Sequence, residues 1–362
     1  MTEMTMRERM LAVVQGRAHD RVPFVQYSGI GGPNDEVWAA IGRGNMGLLQ
    51  WCGVTRVEHP HCRFEREDFE RDGRAGYRRK LCTPEGDLVE ERLIQPTYGA
   101  AAACKHFVRE PEDYRVLLAH LRDVTVHKHL DPVVEIIKDL GDDGLPHVSV
   151  QRTPYQQLWI EWVCIEDLCL HLVDCPEVVE EVVARMAEIE RRVCRITADA
   201  AAEIPIPYVD FPDNITAPII GERYFRKYCV PLYDELAEML DATGRDIPVF
   251  VHMDGDLRPL WGAIGGSRVR GLDSMSPPPD NDTSVADAVR LWPEMRVCIN
   301  FPSSVHLASP EKIYERTMEI LAQGGRTGRL QIQISENVPP GLWKRSYPQI
   351  VRAIRDFGAA CR

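Results

Sequence analysis

Residues 248–256 read PVFVHMDGD. Five residues that suit a buried strand run into His252, Asp254, Gly255 and Asp256, so a dry element ends in a cluster of titratable groups. His252 and Asp254 are two positions apart, and on extended backbone their side chains share a face and can reach one ion. Glu336, which closes the run LQIQISE, offers a third donor, and Cys298 in RVCIN a softer alternative. One nitrogen and two oxygens with an open position suit a catalytic zinc or another divalent cation. The same residues also read as a hydrogen-bonded histidine at a strand end and a turn-forming aspartate before glycine.

The elements that must position these groups recur along the chain. Short β-rich runs ending in polar residues, Gly or Pro are RVPFVQYS, GVTRVEHP, PHVSVQRTP, IPYVDFPDN, IPVFVHMDG, VRGLDSMSPPP, MRVCINFPSS and LQIQISENVPP. Helix-period segments at 176–203, 221–243, 283–293 and 309–323 alternate with them. Eight strands joined by helices predict parallel pairing and a closed (β/α)8 TIM barrel, read here as one domain over residues 1–362. Two alternating runs around TPEGD at 74–97 predict an inserted antiparallel hairpin, and mostly helical residues to 146 would cover it.

Barrel chemistry sits at the carboxyl ends of the strands. Those ends carry Tyr27; Gln151 and Arg152; Asp210, Asp213 and Asn214; His252, Asp254 and Asp256; Asp273 and Ser274; Cys298 and Asn300; and Glu336 and Asn337. Asp210 and Asp213 straddle Pro212 and read either as acid/base or substrate-orienting carboxylates or as a helix cap with an Asx turn. Tyr27, Gln151, Arg152, Asn214 and Asn300 are the expected substrate contacts. In VEHPHC, Glu58, His59 and His61 read as metal ligands or, more simply, as a solvated loop around Pro60.

Composition narrows the partners. The formal charge is −12 and no Lys/Arg run is long enough for a nucleic-acid or anionic-membrane footprint, so neither is expected. The sequence contains no stretch of 18 apolar residues and its start has no signal-peptide core, which predicts a cytoplasmic protein. Eleven cysteines without a CxxC pair fit reduced thiols. Neither a dinucleotide fingerprint, a P-loop nor GxSxG occurs.

RERMLAVVQGRAHDRVPF, TPEGDL, LHLVDCPEVVEEV and VDFPDN through VFVHMDGDL together resemble the uroporphyrinogen decarboxylase superfamily, over nearly the whole chain. The resemblance implies the barrel and one of two activities, porphyrinogen decarboxylation or cobamide-dependent methyl transfer. RVPF is followed by VQYSGIGG, with no arginine until Arg43, where the decarboxylases carry an arginine-rich segment that binds a polycarboxylate. The methyltransferase branch is similar at HMDGD, where its His-x-Cys metal motif places His252 on the histidine and Asp254 on the cysteine, with Glu336 nearest to its second cysteine. Oxygen in place of thiolate argues against methylation of coenzyme M and for an O-methyl donor. The branch further implies zinc or another divalent metal, a small-molecule methyl donor, a homodimer, and a corrinoid supplied by a partner protein, since the chain holds no D-x-H-x-x-G run. A metal-free paralogue that only binds a ligand is the remaining alternative.

Overall fold

The computed structural model describes residues 3–97 and 99–360. Its strands are β1 (Phe24–Tyr27), β2 (Gly47–Cys52), β3 (Thr55–Glu58), β4 (Arg63–Arg71), β5 (Arg74–Thr83), β6 (Gly86–Ile94), β7 (Ala101–Lys105), β8 (Thr125–Lys128), β9 (Gly144–Ser149), β10 (Val209–Phe211), β11 (Val249–His252), β12 (Gly271–Met275), β13 (Arg296–Asn300) and β14 (Leu330–Ile334). The chain divides into two compact units: residues 1–54, 130–150 and 198–362, and residues 55–129 and 151–197.

The first unit is the expected barrel, closed in the order β1-β14-β13-β12-β11-β10-β9-β2 with every pairing parallel. Seven of its strands coincide with runs legible in the sequence, and one does not. The sequence predicts GVTRVEHP as the second strand; instead Gly47–Cys52 takes that place, and Thr55–Glu58 pairs antiparallel with Thr125–Lys128 in the second unit. The β-branched residues of the later run point to a strand correctly but not to its sheet, which pairing partners decide.

Interior side chains form layers. The lower one holds Val25, Leu49, Leu145, Tyr208, Phe250 and Cys298, joined from below by Met6, Met10, Val13 and Val14 of the helix Met6–Val14. That helix starts on a capping box between Thr5 and Glu8, so its first backbone donors are satisfied where it turns under the barrel. Packing between β2 and β9 is close: a Cβ on Gly144 would lie 2.1 Å from the carbonyl oxygen of Leu48, so only glycine fits there. The layer above is polar.

The second unit contains the antiparallel sheet β4-β5-β6-β7, the β3–β8 pair and the helix Asp113–Asp123. β5 and β6 are the hairpin around TPEGD, and β4 and β7 extend it on either side. Among the described residues no helix is long and apolar enough to cross a membrane. Asp123 ties this unit's loop at 61–62: it accepts from the backbone N–H of His61 and of Cys62, each at 2.8 Å, and pairs with His61 Nδ1 at 2.8 Å. Burial alone would raise its pKa, but these hydrogen bonds bring it down to about 2. The stability this carboxylate contributes is therefore fully present above its ordinary pKa of 3.8 and is lost as pH falls toward about 2. Urea unfolding midpoints measured across that window should fall less steeply with acid in Asp123→Asn than in wild type.

Candidate active site

The polar layer is built by strand alternation. Tyr27 on β1, His147 on β9, Asp210 on β10, His252 on β11 and Gln333 on β14 all follow apolar lower-layer positions two residues earlier, or Gln331 in the case of Gln333. β12 breaks the alternation. The register shifts between Leu272 and Met275, and Ser274 takes a left-handed φ of 60°. This bulge turns both Asp273 and Ser274 into the barrel, since Tyr27 and Gln333 bond to each of them. A buried serine held there costs about 1–3 kcal/mol, a strain the surrounding hydrogen bonds offset.

Asp273 is the hub. Its carboxylate accepts from Tyr27 Oη, from Ser274 Oγ at 3.1 Å and from Gln333 Nε2 at 2.8 Å, and meets His252 Nδ1 at 2.9 Å. Burial by itself would raise its pKa; the His252 hydrogen bond, the nearby His147 and His252 charges and the Tyr27 hydroxyl hold it well below the usual carboxylate range. Because Asp273 accepts only, it fixes His252 with the proton on Nδ1 and turns Nε2 outward.

Nε2 of His252 is buried and has no hydrogen-bond partner. Asp254 Oδ2 lies 3.7 Å from it and Glu336 Oε1 3.9 Å, and the three groups can point at one ion. Asp254 is itself held by Asn214 Nδ2 at 2.9 Å, and Asn214 adopts the left-handed φ of 54° that asparagine tolerates. Asn300 accepts from the backbone and the hydroxyl of Ser335, fixing the residue before Glu336. Burial would lower the His252 pKa, yet the flanking Asp254 and Asp273 raise it well above the ordinary value. Burial raises Glu336, with His252 opposing and Asp254 and Asp273 adding to the rise.

A second buried group, His147, Asp210 and Asp273, also lies within ligating reach of one point. Both nitrogens of its imidazole are already engaged: His147 Nδ1 meets Tyr208 Oη at 2.7 Å and Nε2 meets Asp210 Oδ2 at 3.3 Å, while Asp273 carries the contacts above. The His252 set is the better cation site, since its imidazole nitrogen is the one left open. Asp210 Oδ1 is buried without a partner, and burial raises the Asp210 pKa with His147 opposing.

The sequence-based candidates therefore separate. Tyr27, Asp210, Asn214, His252, Asp254, Asn300 and Glu336 gather at the carboxyl ends of the strands. Asp213 does not join them, because Tyr233 of the helix Val230–Asp241 binds its carboxylate. Cys298 sits a layer below, among Met10, Leu145 and Phe250, and belongs to neither ligating group. Gln151 and Arg152 fall in the second unit, where Arg152 pairs with Glu161, because β9 ends at Ser149. His147, Tyr208 and Gln333 do not stand out in the sequence, and Asp273 does so only as a strand end; counting inward positions back from Asp210 and along PHVSV exposes the first two.

A closed parallel barrel whose strand ends converge on buried carboxylates and imidazoles has the layout of a barrel enzyme. The family model for uroporphyrinogen decarboxylase (URO-D) matches residues 97–342, and the chain belongs to that family. Among solved structures, a methyltransferase from Methanosarcina mazei aligns over 98% of this chain and 99% of that one, with a TM-score of 0.59 and 13% identity; the likeness establishes the shared fold. A psychrophilic glycoside hydrolase family 10 endo-β-1,4-xylanase covers 64% of this chain and 80% of its own at a TM-score of 0.33 and 10% identity, too slight to carry an argument. No curated protein sequence matches the chain.

The placement of Cys298 is checked by thiol labelling. Burial, with the Asp273 and Asp210 charges, pushes its thiol far above the usual range, whereas Cys104 and Cys169 are exposed. Brief N-ethylmaleimide treatment of native protein, read by peptide mass spectrometry, should modify Cys104 and Cys169 and spare Cys298.

Proposed function

We propose that the chain is a methyltransferase that moves a methyl group from a small O-methyl donor to a cob(I)amide carried by a separate corrinoid protein. In this reaction the donor's carbon–oxygen bond breaks, the methyl group passes to the acceptor, and the oxygen keeps the bonding electrons and takes a proton. The observation that carries the reading is the unpartnered Nε2 of His252, held toward Asp254 and Glu336 by the Asp273 hydrogen bond on its other nitrogen. A histidine anchored on a carboxylate, with two carboxylates facing its free nitrogen, fits zinc or another divalent metal.

When bound, such an ion would stabilise the negative charge developing on the leaving oxygen. His252, Asp254 and Glu336 would hold it, and the absence of thiolate would leave the ion a stronger Lewis acid. Asn214 and Asn300 keep Asp254 and the Glu336 segment in place. Asp210, whose raised pKa favours its neutral form, holds the proton that the leaving oxygen needs, and His147 orients it. The homodimer belongs to the same reading.

Family membership favours decarboxylation as the second reading. The charge of the site speaks against it: the Asp254 and Asp273 carboxylates are held below the ordinary range and stay ionised, and a polycarboxylate would meet repulsion instead of paired cations.

The test is turnover of methoxy-substituted donors with cob(I)alamin as acceptor, followed by the cobalamin spectrum. Wild type should demethylate at least one donor, His252→Ala should be inactive, and Asp210→Asn should lose about 10²–10⁴-fold in kcat. No turnover of any methoxy donor, alongside decarboxylation of a porphyrinogen, would replace this reading with the second.

A further inference from the structure

The motif EHPHC is not used by the barrel. In the second unit its parts go separate ways: Glu58 pairs with Arg56, His61 with Asp123, and His59 stacks on His120 with ring centroids 4.3 Å apart and planes 19° from parallel. The stacked pair lines a cavity of about 270 Å³ lying wholly within the second unit, with Phe64, Phe107 and Trp162 on its other walls. Rings meet around it at 5.2 Å (Phe107 with Trp162) and 5.4 Å (His120 with Phe64, and with Trp162).

Three polar atoms of this lining are buried with no partner: Trp162 Nε1, His59 Nδ1 and His120 Nδ1. Trp162 is 7% exposed and His120 4%. Buried donors and acceptors rarely stay unpaired, and three around one cavity point to something that satisfies them. A metal is a poor candidate, because the two histidines belong to no ligating group among the described residues.

From this geometry we infer that the second unit binds a small phenolic molecule, a single planar ring bearing a hydroxyl. The walls favour an aromatic ring, which gains edge and face contacts that a saturated ring lacks. The size agrees, since a cavity of about 150 Å³ accommodates benzene and this one leaves room for substituents. A hydroxyl both accepts and donates, so it can take the Trp162 N–H and satisfy an imidazole nitrogen in either tautomer. The lining also selects a neutral ligand. Burial lowers His59 and brings His120 to about 4, burial raises Glu161 against the pull of Arg152, and Arg79 is paired with the buried Glu90. Phe64, 45% exposed, marks the side open to solvent. The inference is independent of the reaction proposed for the barrel.

Isothermal titration calorimetry with phenol, and with cyclohexanol as the saturated control, tests it. Phenol should bind wild type, and cyclohexanol about tenfold more weakly or not at all. Trp162→Phe, which keeps a ring and removes the N–H, should weaken phenol about tenfold. Phe64→Ala at the exposed rim should also weaken it and provides a second variant if Trp162→Phe melts early by circular dichroism; His252→Ala should bind phenol as wild type does. Absence of phenol binding, equal binding of cyclohexanol, or loss of binding in His252→Ala with retention in Trp162→Phe and Phe64→Ala would overturn the assignment.

Discussion

The hydrogen bonds converging on the Asp273 carboxylate are the interaction on which the barrel's polar layer depends. A charge buried at the centre of a barrel is tolerated only when its lone pairs are filled, and here they are filled from β1, β11, β12 and β14. Each donor is aligned by the same carboxylate that it stabilises. Removing the charge would leave the buried Tyr27, Gln333 and His252 to find other acceptors, so geometry and electrostatics fail together. The strained Ser274 belongs to this arrangement, because without the bulge Asp273 and Ser274 would face opposite sides of the sheet.

From that anchor follows the contrast between two histidines in one layer. His147 has a partner on each nitrogen, Tyr208 and Asp210. His252 has a partner on Nδ1 alone, and its free nitrogen faces two carboxylates that other residues hold in place. The two imidazoles differ in whether the second nitrogen is satisfied. The hydrogen bonds of the neighbours decide that difference.

Much of this was legible in the sequence, for identifiable reasons. Strand-ending runs of apolar residues into Pro, Gly and Asp located seven barrel strands, the two-residue spacing of His252 and Asp254 paired those two, and the end of the last run added Glu336. What failed to show was of three kinds. GVTRVEHP carries strand propensity yet pairs in the second unit, because sheet membership depends on partners distant in sequence. Gln151 and Arg152 looked like a strand end because nothing local marks where β9 stops, two residues earlier. Asp273 looked like one polar residue among several, and its central role arises from a bulge that no residue pattern in GLDSM announces. Asp213 and Cys298 are chemically suited to a site but point elsewhere, one to a helix tyrosine and one to the layer beneath.

X-ray absorption spectroscopy on tag-free protein supplied with zinc measures the central claim directly. Binding through His252, Asp254 and Glu336 requires about one zinc per chain with a shell of light atoms alone, at about 2.0–2.2 Å. A sulfur shell at about 2.3 Å would place the metal on a cysteine and contradict the assignment, and protein that takes up no metal at all would contradict it outright.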